Sequence, residues 1–213
     1  ELEMRRGRRA YICGEETALF NSIEGFRGEP RSKPPFPVTA GLFGMPTVIN
    51  NVETFANIPD IVLEGGAEFA SGGTKHSTGT RLFCLSGSVQ KPGLYEVPLG
   101  TTLGALLEMA GGVPENRSLR AILLGGAAGG FVGPEDLRLP LSFEATRAAG
   151  ATLGSGALIV FEGSVGLPLV VLRNAAFFRE ESCGQCVPCR VGTVRQEEAL
   201  QRILKRGDAA ASR

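Results

Sequence analysis

RLFCLSGSVQKPGLYEVPLGTTLGALLEMAGG, from Arg81 to Gly112, is the stretch that decides the fold. Arg81 to Ser86 reads as a strand, and Val89 to Val97 as a second, with Lys91-Pro92-Gly93 as a bend. Thr101 or Thr102 then caps a helix in which Leu103, Leu106, Leu107 and Ala110 fall at i, i+3, i+4 and i+7. Gly111-Gly112 ends it. Downstream, Ala121-Ile122-Leu123-Leu124 and Ala157-Leu158-Ile159-Val160-Phe161 are apolar runs of strand length. Strand–strand–helix–strand–strand across residues 80–163 predicts a β-grasp, ubiquitin-like domain with Leu106 in its core.

Outward from this unit the pattern changes. Residues 65–79 hold Gly65, Gly66, Gly72, Gly73 and Gly79 among Ser and Thr, and read as a linker. Before them, Ala10-Tyr11-Ile12-Cys13 reads as a strand end, Gly14 as its turn and Glu15 to Glu24 as a helix stopped by Gly25. A basic, Pro-rich loop follows, Arg27 to Pro37. Pro46-Thr47-Val48-Ile49 reads as another strand, and Val52, Phe55, Ile58, Val62 and Leu63 as the apolar stripe of a helix kinked at Pro59. Repeated strand–turn–helix is α/β in character. After Leu169, Val171, Leu172, Ala175, Ala176 and Phe178 share a helix face that runs into a cysteine cluster. Thr193 to Arg206 forms a further helix, and Gly207 to Arg213 a frayed end.

Composition narrows the function classes. The 213 residues carry 22 basic and 22 acidic side chains, a balance that argues against nucleic-acid binding. An apolar content of 43% argues against disorder. The uncharged apolar stretch Ala121 to Pro134 is Gly-rich and well short of the ~20 residues that span a bilayer. The stretch Glu1-Leu2-Glu3-Met4-Arg5-Arg6 lacks the apolar segment of a signal peptide. Glycine, at 30 residues, is about double the usual ~7%, so tight turns are expected to be frequent.

Three of the five cysteines lie within seven residues: Cys183, Cys186 and Cys189. An odd number with one tight cluster is not a disulfide framework. It points to a metal site in a reducing, cytosolic or cytosol-facing setting. C-x2-C-x2-C is the spacing of an iron–sulfur loop, where short steps give each sulfur a different iron. Zinc is the rival, although its sites usually pair two knuckles or add His, and His76 is far away. Incidental thiols are the third reading. Cys13 and Cys84 fall in expected strands and read as core residues. The second candidate is Gly14-Glu15-Glu16. Two carboxylates at a helix start suit the macrodipole, and a strand–Gly–helix junction also lets a flat ligand approach the backbone. Neither G-x-G-x-x-G nor G-x-x-x-x-G-K occurs. A triad built on His76 in a Gly/Ser/Thr segment is rejected. Arg27, Arg31 and Lys33 could attract phosphate or form a solvated loop.

Four motifs in order carry a resemblance. Tyr11-Ile12-Cys13-Gly14-Glu15-Glu16-Thr17-Ala18-Leu19, Lys33-Pro34-Pro35-Phe36-Pro37, Val48-Ile49-Asn50-Asn51-Val52-Glu53-Thr54, and Glu180-Glu181-Ser182-Cys183-Gly184-Gln185-Cys186-Val187-Pro188-Cys189-Arg190-Val191-Gly192-Thr193 are similar to those of the NADH-binding flavoprotein subunits of respiratory complex I. The diaphorase subunits of NAD-linked hydrogenases and formate dehydrogenases share this type. The resemblance implies a mixed α/β and α+β chain. Residues 1–74 would be part of a Rossmann-like FMN and NADH domain, 75–165 a β-grasp (SLBB) domain, and 166–213 the start of a helical [4Fe–4S] bundle. It implies hydride transfer from NADH to FMN and single electrons leaving through the cluster. Tyr11, Gly14, Glu15, Glu16, Asn50, Asn51 and Thr54 match flavin and nucleotide positions, with Glu15 and Glu16 shaping charge near the nicotinamide. Cys183, Cys186 and Cys189 match three of four cluster ligands. The family's glycine-rich loop would precede residue 1, and its fourth cysteine would lie beyond Arg213. The segment before Tyr11, Gly7-Arg8-Arg9-Ala10, carries two cations where the family has Gly and Ala. These departures imply an internal piece of the subunit, or a truncated, non-catalytic relative acting as an interaction or ligand-binding module. Implied partners are a thioredoxin-like [2Fe–2S] subunit and an iron–sulfur large subunit. The implied place is the cytoplasm or the cytoplasmic face of the inner membrane, without a membrane span.

Overall fold

Alternation places β1, Thr80–Gly87: Phe83 and Leu85 are buried on one face while Leu82 and Cys84 are exposed on the other. The computed structural model describes residues 2–7 and 10–211, with side chains through Arg206. The two cations expected at Arg8 and Arg9 lie outside the described residues. β1 pairs antiparallel with β2, Gly93–Pro98, and parallel with β5, Ala157–Glu162. β5 pairs antiparallel with β3, Leu119–Leu124, which pairs with β4, Gly130–Val132. The order β2-β1-β5-β3-β4 is that of a β-grasp sheet. The helix Leu103–Met109 is capped by Thr102, whose hydroxyl accepts from the Ala105 amide at 3.2 Å. It packs Leu103 and Leu106, both fully buried, against Phe83, Leu85, Ile122, Leu124, Leu158 and Val160.

Two expectations for this unit need correction. The second strand starts at Gly93, not Val89. Gln90 and Lys91 donate their amides to Gly112 and Ala110 at the helix end, so they are not available to a sheet ladder. Residues 65–79 are structured rather than a linker. A short helix, Gly66–Phe69, sets the Phe69 ring over Gly79, where a Cβ would sit 2.3 Å from it. Gly73 and Thr78 form a β-bridge around the nearly buried Ser77. The sequence also hides β4 and the helix Phe143–Ala148, each too short to show a period.

The chain divides into two compact units, Val52–Val165 and residues 1–51 with 166–213. The first includes a helix at Val52–Glu64 that continues through Pro59. Its stripe, Val52, Phe55, Ile58, Val62 and Leu63, is exposed. Its Glu53 carboxylate accepts the Leu82 amide of β1 at 2.9 Å.

In the second unit, Tyr11–Gly14 is one turn of 3-10 helix rather than a strand end. Pro46–Ile49 has no ladder partner among the described residues. A strand needs a paired backbone. This loop closes on itself instead: the Thr47 amide donates to Pro37 O at 2.8 Å and Gly41 to Met45 O at 2.7 Å. A helix at Glu16–Ile23 follows the 3-10 turn, and helices at Leu167–Glu180 and Val187–Ala211 form the remainder. The last starts before Cys189 and passes the expected frayed segment as far as Ala211.

Candidate functional site

Glu15 shapes the start of the Glu16–Ile23 helix. One carboxylate oxygen accepts from the Thr17 amide at 2.9 Å, the Ala18 amide at 2.8 Å and the Thr17 hydroxyl at 2.6 Å. Three donors of a helix start converge on one oxygen, which is the capping role. The other oxygen meets Lys33 Nζ at 3.2 Å, and Lys33 also pairs with Glu16. Burial pushes the Glu15 carboxyl up, but the bonds from Thr17, Ala18 and Lys33 outweigh it and hold it below the ordinary carboxylate value. The Glu16 contact, with that of Glu15, raises Lys33 above its ordinary value. The two carboxylates thus share one cation. Beside Glu16 an apolar cleft of about 320 Å³ is lined by Phe36, Pro37, Val38, Val48 and Ile49.

Gly14 is exposed, and a Cβ built there meets nothing within 4 Å. Tyr11 stands next to it with its ring edge-on to Phe177 and Phe178 at 5.2 and 6.2 Å. Its amide donates to the Glu181 carboxylate at 2.9 Å across 170 residues of sequence. Glu181 in turn borders a cleft of about 310 Å³ lined also by Cys13, Arg27, Gly28, Ser182 and Cys183. The motif around Tyr11 and the cysteine loop therefore meet within one compact unit. Asn50 and Asn51 are exposed on the segment that ends this unit's first stretch. Thr54 is exposed in the first turn of the Val52–Glu64 helix.

All three loop cysteines are free thiols, Cys183 half-buried and Cys186 and Cys189 exposed. Cys186 O accepts the Arg190 amide at 3.0 Å, which puts Cys186 at the cap of the last helix and Cys189 in its first turn. Ser182 Oγ lies 3.4 Å from Cys189 Sγ. Among the described residues, no three of His, Cys, Asp and Glu converge as a ligand set. The Cys189 thiol, although on the helix that starts at Val187, thus returns beside Ser182, the neighbour of Cys183. The donor set itself, three thiols on seven residues without His or carboxylate, fits iron–sulfur chemistry. The bare backbone at Gly14, the half-exposed Tyr11 ring and the adjacent apolar cleft fit a planar ring system. Cys13 is not in a strand but in the 3-10 turn, and Cys84 is exposed on the sheet's outer face.

The basic run has a different role from either reading of the sequence. Arg31 donates to Asn21 at 2.8 Å and to Gly41 O at 3.3 Å, and pairs with Glu24 at 2.5 Å. Lys33 serves Glu15 and Glu16, and Arg27 donates to Cys183 O. Arg31 and Lys33 are thus occupied by carboxylates, while Arg27 is exposed and makes its bond to the cysteine loop. Sequence reasoning did not reach these roles of Arg27 and Lys33, nor that of Glu181. Lys33 and Glu181 stand inside the quoted motifs, which was the available signal.

Residues 1–60 match the family described as Nuo51 FMN-binding domain, 82–138 the SLBB domain, and 169–212 the NADH-ubiquinone oxidoreductase-F iron–sulfur binding region. The F subunit of the NADH-quinone oxidoreductase of Mycobacterium bovis is 48% identical over 203 residues, covering 95% of this chain and 46% of that protein. The HndC subunit of the NADP-reducing hydrogenase of Solidesulfovibrio fructosivorans is 42% identical, over 96% of this chain and 42% of that one. A crystal structure of NAD+-reducing [NiFe]-hydrogenase in the H2-reduced state aligns with a TM-score of 0.84 at 42% identity, over 93% of this chain and 34% of that chain. The chain spans about half the length of the curated relatives it matches.

Proposed function

The chain is related to the F subunits of NADH-quinone oxidoreductases and to hydrogenase diaphorases, and on that footing we propose that it is part of an electron-input flavoprotein. The substrate in this reading is NADH, the cofactors are FMN and a [4Fe–4S] cluster, and the cluster passes single electrons towards a quinone reductase complex. The observation that carries it is the order of three family matches along one chain, flavin domain, SLBB domain and iron–sulfur region. When bound, the flavin would accept a hydride and the cluster would take electrons singly.

The chain's own residues prepare this chemistry. Glu15 fixes the helix start that leaves Gly14 bare for a ring to approach. Glu16, held by Lys33, sets the charge beside that position. Tyr11 borders it, and Asn50, Asn51 and Thr54 would bind flavin or nucleotide polar groups. Cys183, Cys186 and Cys189 would supply three of the cluster's ligands. The division into a flavin part at 1–74, an SLBB domain at 75–165 and an iron–sulfur part at 166–213 belongs to this proposal. So do a thioredoxin-like [2Fe–2S] subunit and an iron–sulfur large subunit as partners, and a place in the cytoplasm or at the cytoplasmic membrane face. No helix among the described residues is long and apolar enough to cross a membrane. A diaphorase role in a hydrogenase is the second reading, favoured by the 42% identity to the hydrogenase structure.

Ligand counting gives the test. Three thiolates hold three irons, and the fourth iron needs another donor. Anaerobic reconstitution of the full chain with iron and sulfide should load roughly four irons with 2-mercaptoethanol present and roughly three or fewer without it. One tightly held zinc in place of iron would sink the reading in favour of a structural metal.

A further inference from the structure

Arg27 is an exposed cation beside the cysteine loop. Arg31, Lys33 and Arg179 each pair with a carboxylate. Arg27 forms no ion pair among the described residues; its guanidinium donates to the main-chain carbonyl of Cys183. A Cβ built on the next residue, Gly184, would lie 3.7 Å from Arg27 Nη2 and 3.7 Å from Arg190 Cδ. Gly184 has φ +74°, a left-handed backbone that a Cβ would strain. The same turn is tied a second time, where Gln185 Nε2 donates to Pro30 O at 3.1 Å. Residues 27–30 thus grip residues 183–185 from across 156 positions of sequence.

Two consequences follow from elementary electrostatics. A carbonyl held by a guanidinium fixes the backbone that carries the Cys183 thiol. A positive charge bonded to the main chain of the first ligand residue favours whichever state of the centre is more negative, even with Glu180 and Glu181 on the same cleft. Cluster reduction adds one electron, so the reduced state gains most. On the reading that this loop carries a cluster, we propose that Arg27 is a positioning residue for it: it anchors the first cysteine of the loop and raises the reduction potential of the centre.

Two measurements on the full chain test this with Arg27→Gln and Arg27→Lys. The first is amide hydrogen exchange of the chain without metal. Exchange across residues 182–186 should quicken about tenfold in Arg27→Gln, with the sheet amides of Val52–Val165 unchanged as the control for folding. The second is a redox titration of the centre loaded in the presence of 2-mercaptoethanol, followed by electron paramagnetic resonance. At a fixed potential the reduced-to-oxidised ratio should fall about tenfold in Arg27→Gln, equivalent to about 59 mV for one electron. Arg27→Lys keeps the charge and should stay near the parent. A loss of loop packing alone would shift both variants together. A parent that loads no iron overturns the cluster reading and the role with it. A loaded parent whose potential and loop exchange match those of Arg27→Gln overturns the role of Arg27 and leaves the cluster reading standing.

Discussion

Between Val52 and Val165 a cluster of sixteen buried apolar side chains runs from Phe83 to Val160. In residues 1–51 and 166–213, the described apolar side chains that reach full burial are Ala18, Phe20 and Ala175. The first unit is built on the hydrophobic effect, which scales with area and tolerates exchange of similar side chains. The second relies on polar ties between distant positions: Tyr11 to Glu181, Gln185 to Pro30, Arg27 to Cys183, Arg179 to Glu197. Each such tie is directional and depends on geometry. The candidate site sits in the unit that has the ties. A thin core leaves surface for ligands, and directional bonds place their contacts.

The largest effect is expected at Leu106, which is fully buried on the Leu103–Met109 helix. Leu106→Ala should cost the Val52–Val165 unit about 2–5 kcal/mol by transfer and cavity terms. Hydrogen exchange resolved by peptide reads it. Protection should fall in β1, β3 and β5 while the Glu16–Ile23 helix keeps its own. Equal loss in both would mean that they unfold as one, and that the contrast between core and ties has no thermodynamic content.

A smaller effect is expected at Arg31, whose side chain binds Asn21, Glu24 and Gly41 O and whose amide donates to the Thr17 hydroxyl. Arg31→Met should cost about 2 kcal/mol, in the range for bonds to charged groups. The loss should be confined to residues 16–47. An effect below about 0.5 kcal/mol would mean that the partners find water at no cost, as they do for ordinary surface pairs.

Legibility in the sequence follows the same division. The helix at Leu103–Met109, its Thr102 cap and the strands around it were readable because a dense core imposes a period on its own residues. The reading failed at Val89 to Lys91, where the amides of Gln90 and Lys91 go to the end of the Leu103–Met109 helix, and at three-residue β4. It failed also at residues 65–79, where Gly and Ser serve a tight bridge rather than a flexible tether. In the other unit, periodicity read the Glu16–Ile23 helix but placed strands at Ala10–Cys13 and Pro46–Ile49 that do not form. Motifs, not periods, singled out Glu15, Glu16 and the three cysteines there. They could not assign Arg27 or Glu181, because those roles exist only once positions 156 and 170 residues apart have met. Local pattern carries no information about such meetings.

The mildest test lies at Glu144, where the core-rich unit uses a polar tie of its own. The hydroxyls of Ser77 and Thr74 each donate to its carboxylate at 2.5 Å, and Ser77 is 3% exposed. The Ser77 bond first, then that of Thr74, brings the Glu144 carboxyl from 4.5 down to about 2. The folded value lies below the unfolded one, so the tie stabilises fully above about pH 4.5. It is lost as pH falls through the interval towards about 2. Glu144→Gln removes the titrating group and keeps one acceptor oxygen. The melting temperature of the parent should therefore approach that of the variant as pH falls from 4.5 to 2. Glu15 and Glu162 also sit below their ordinary values and titrate in acid. They are common to both proteins, so the difference curve isolates Glu144. Parallel melting curves across that interval would mean that the two hydroxyls do not hold the carboxylate in solution. Residues 74–77 would then be fastened by the Gly73–Thr78 bridge, the Thr74–Ser77 turn and the Phe143 amide, which donates to the Ser77 hydroxyl at 3.0 Å.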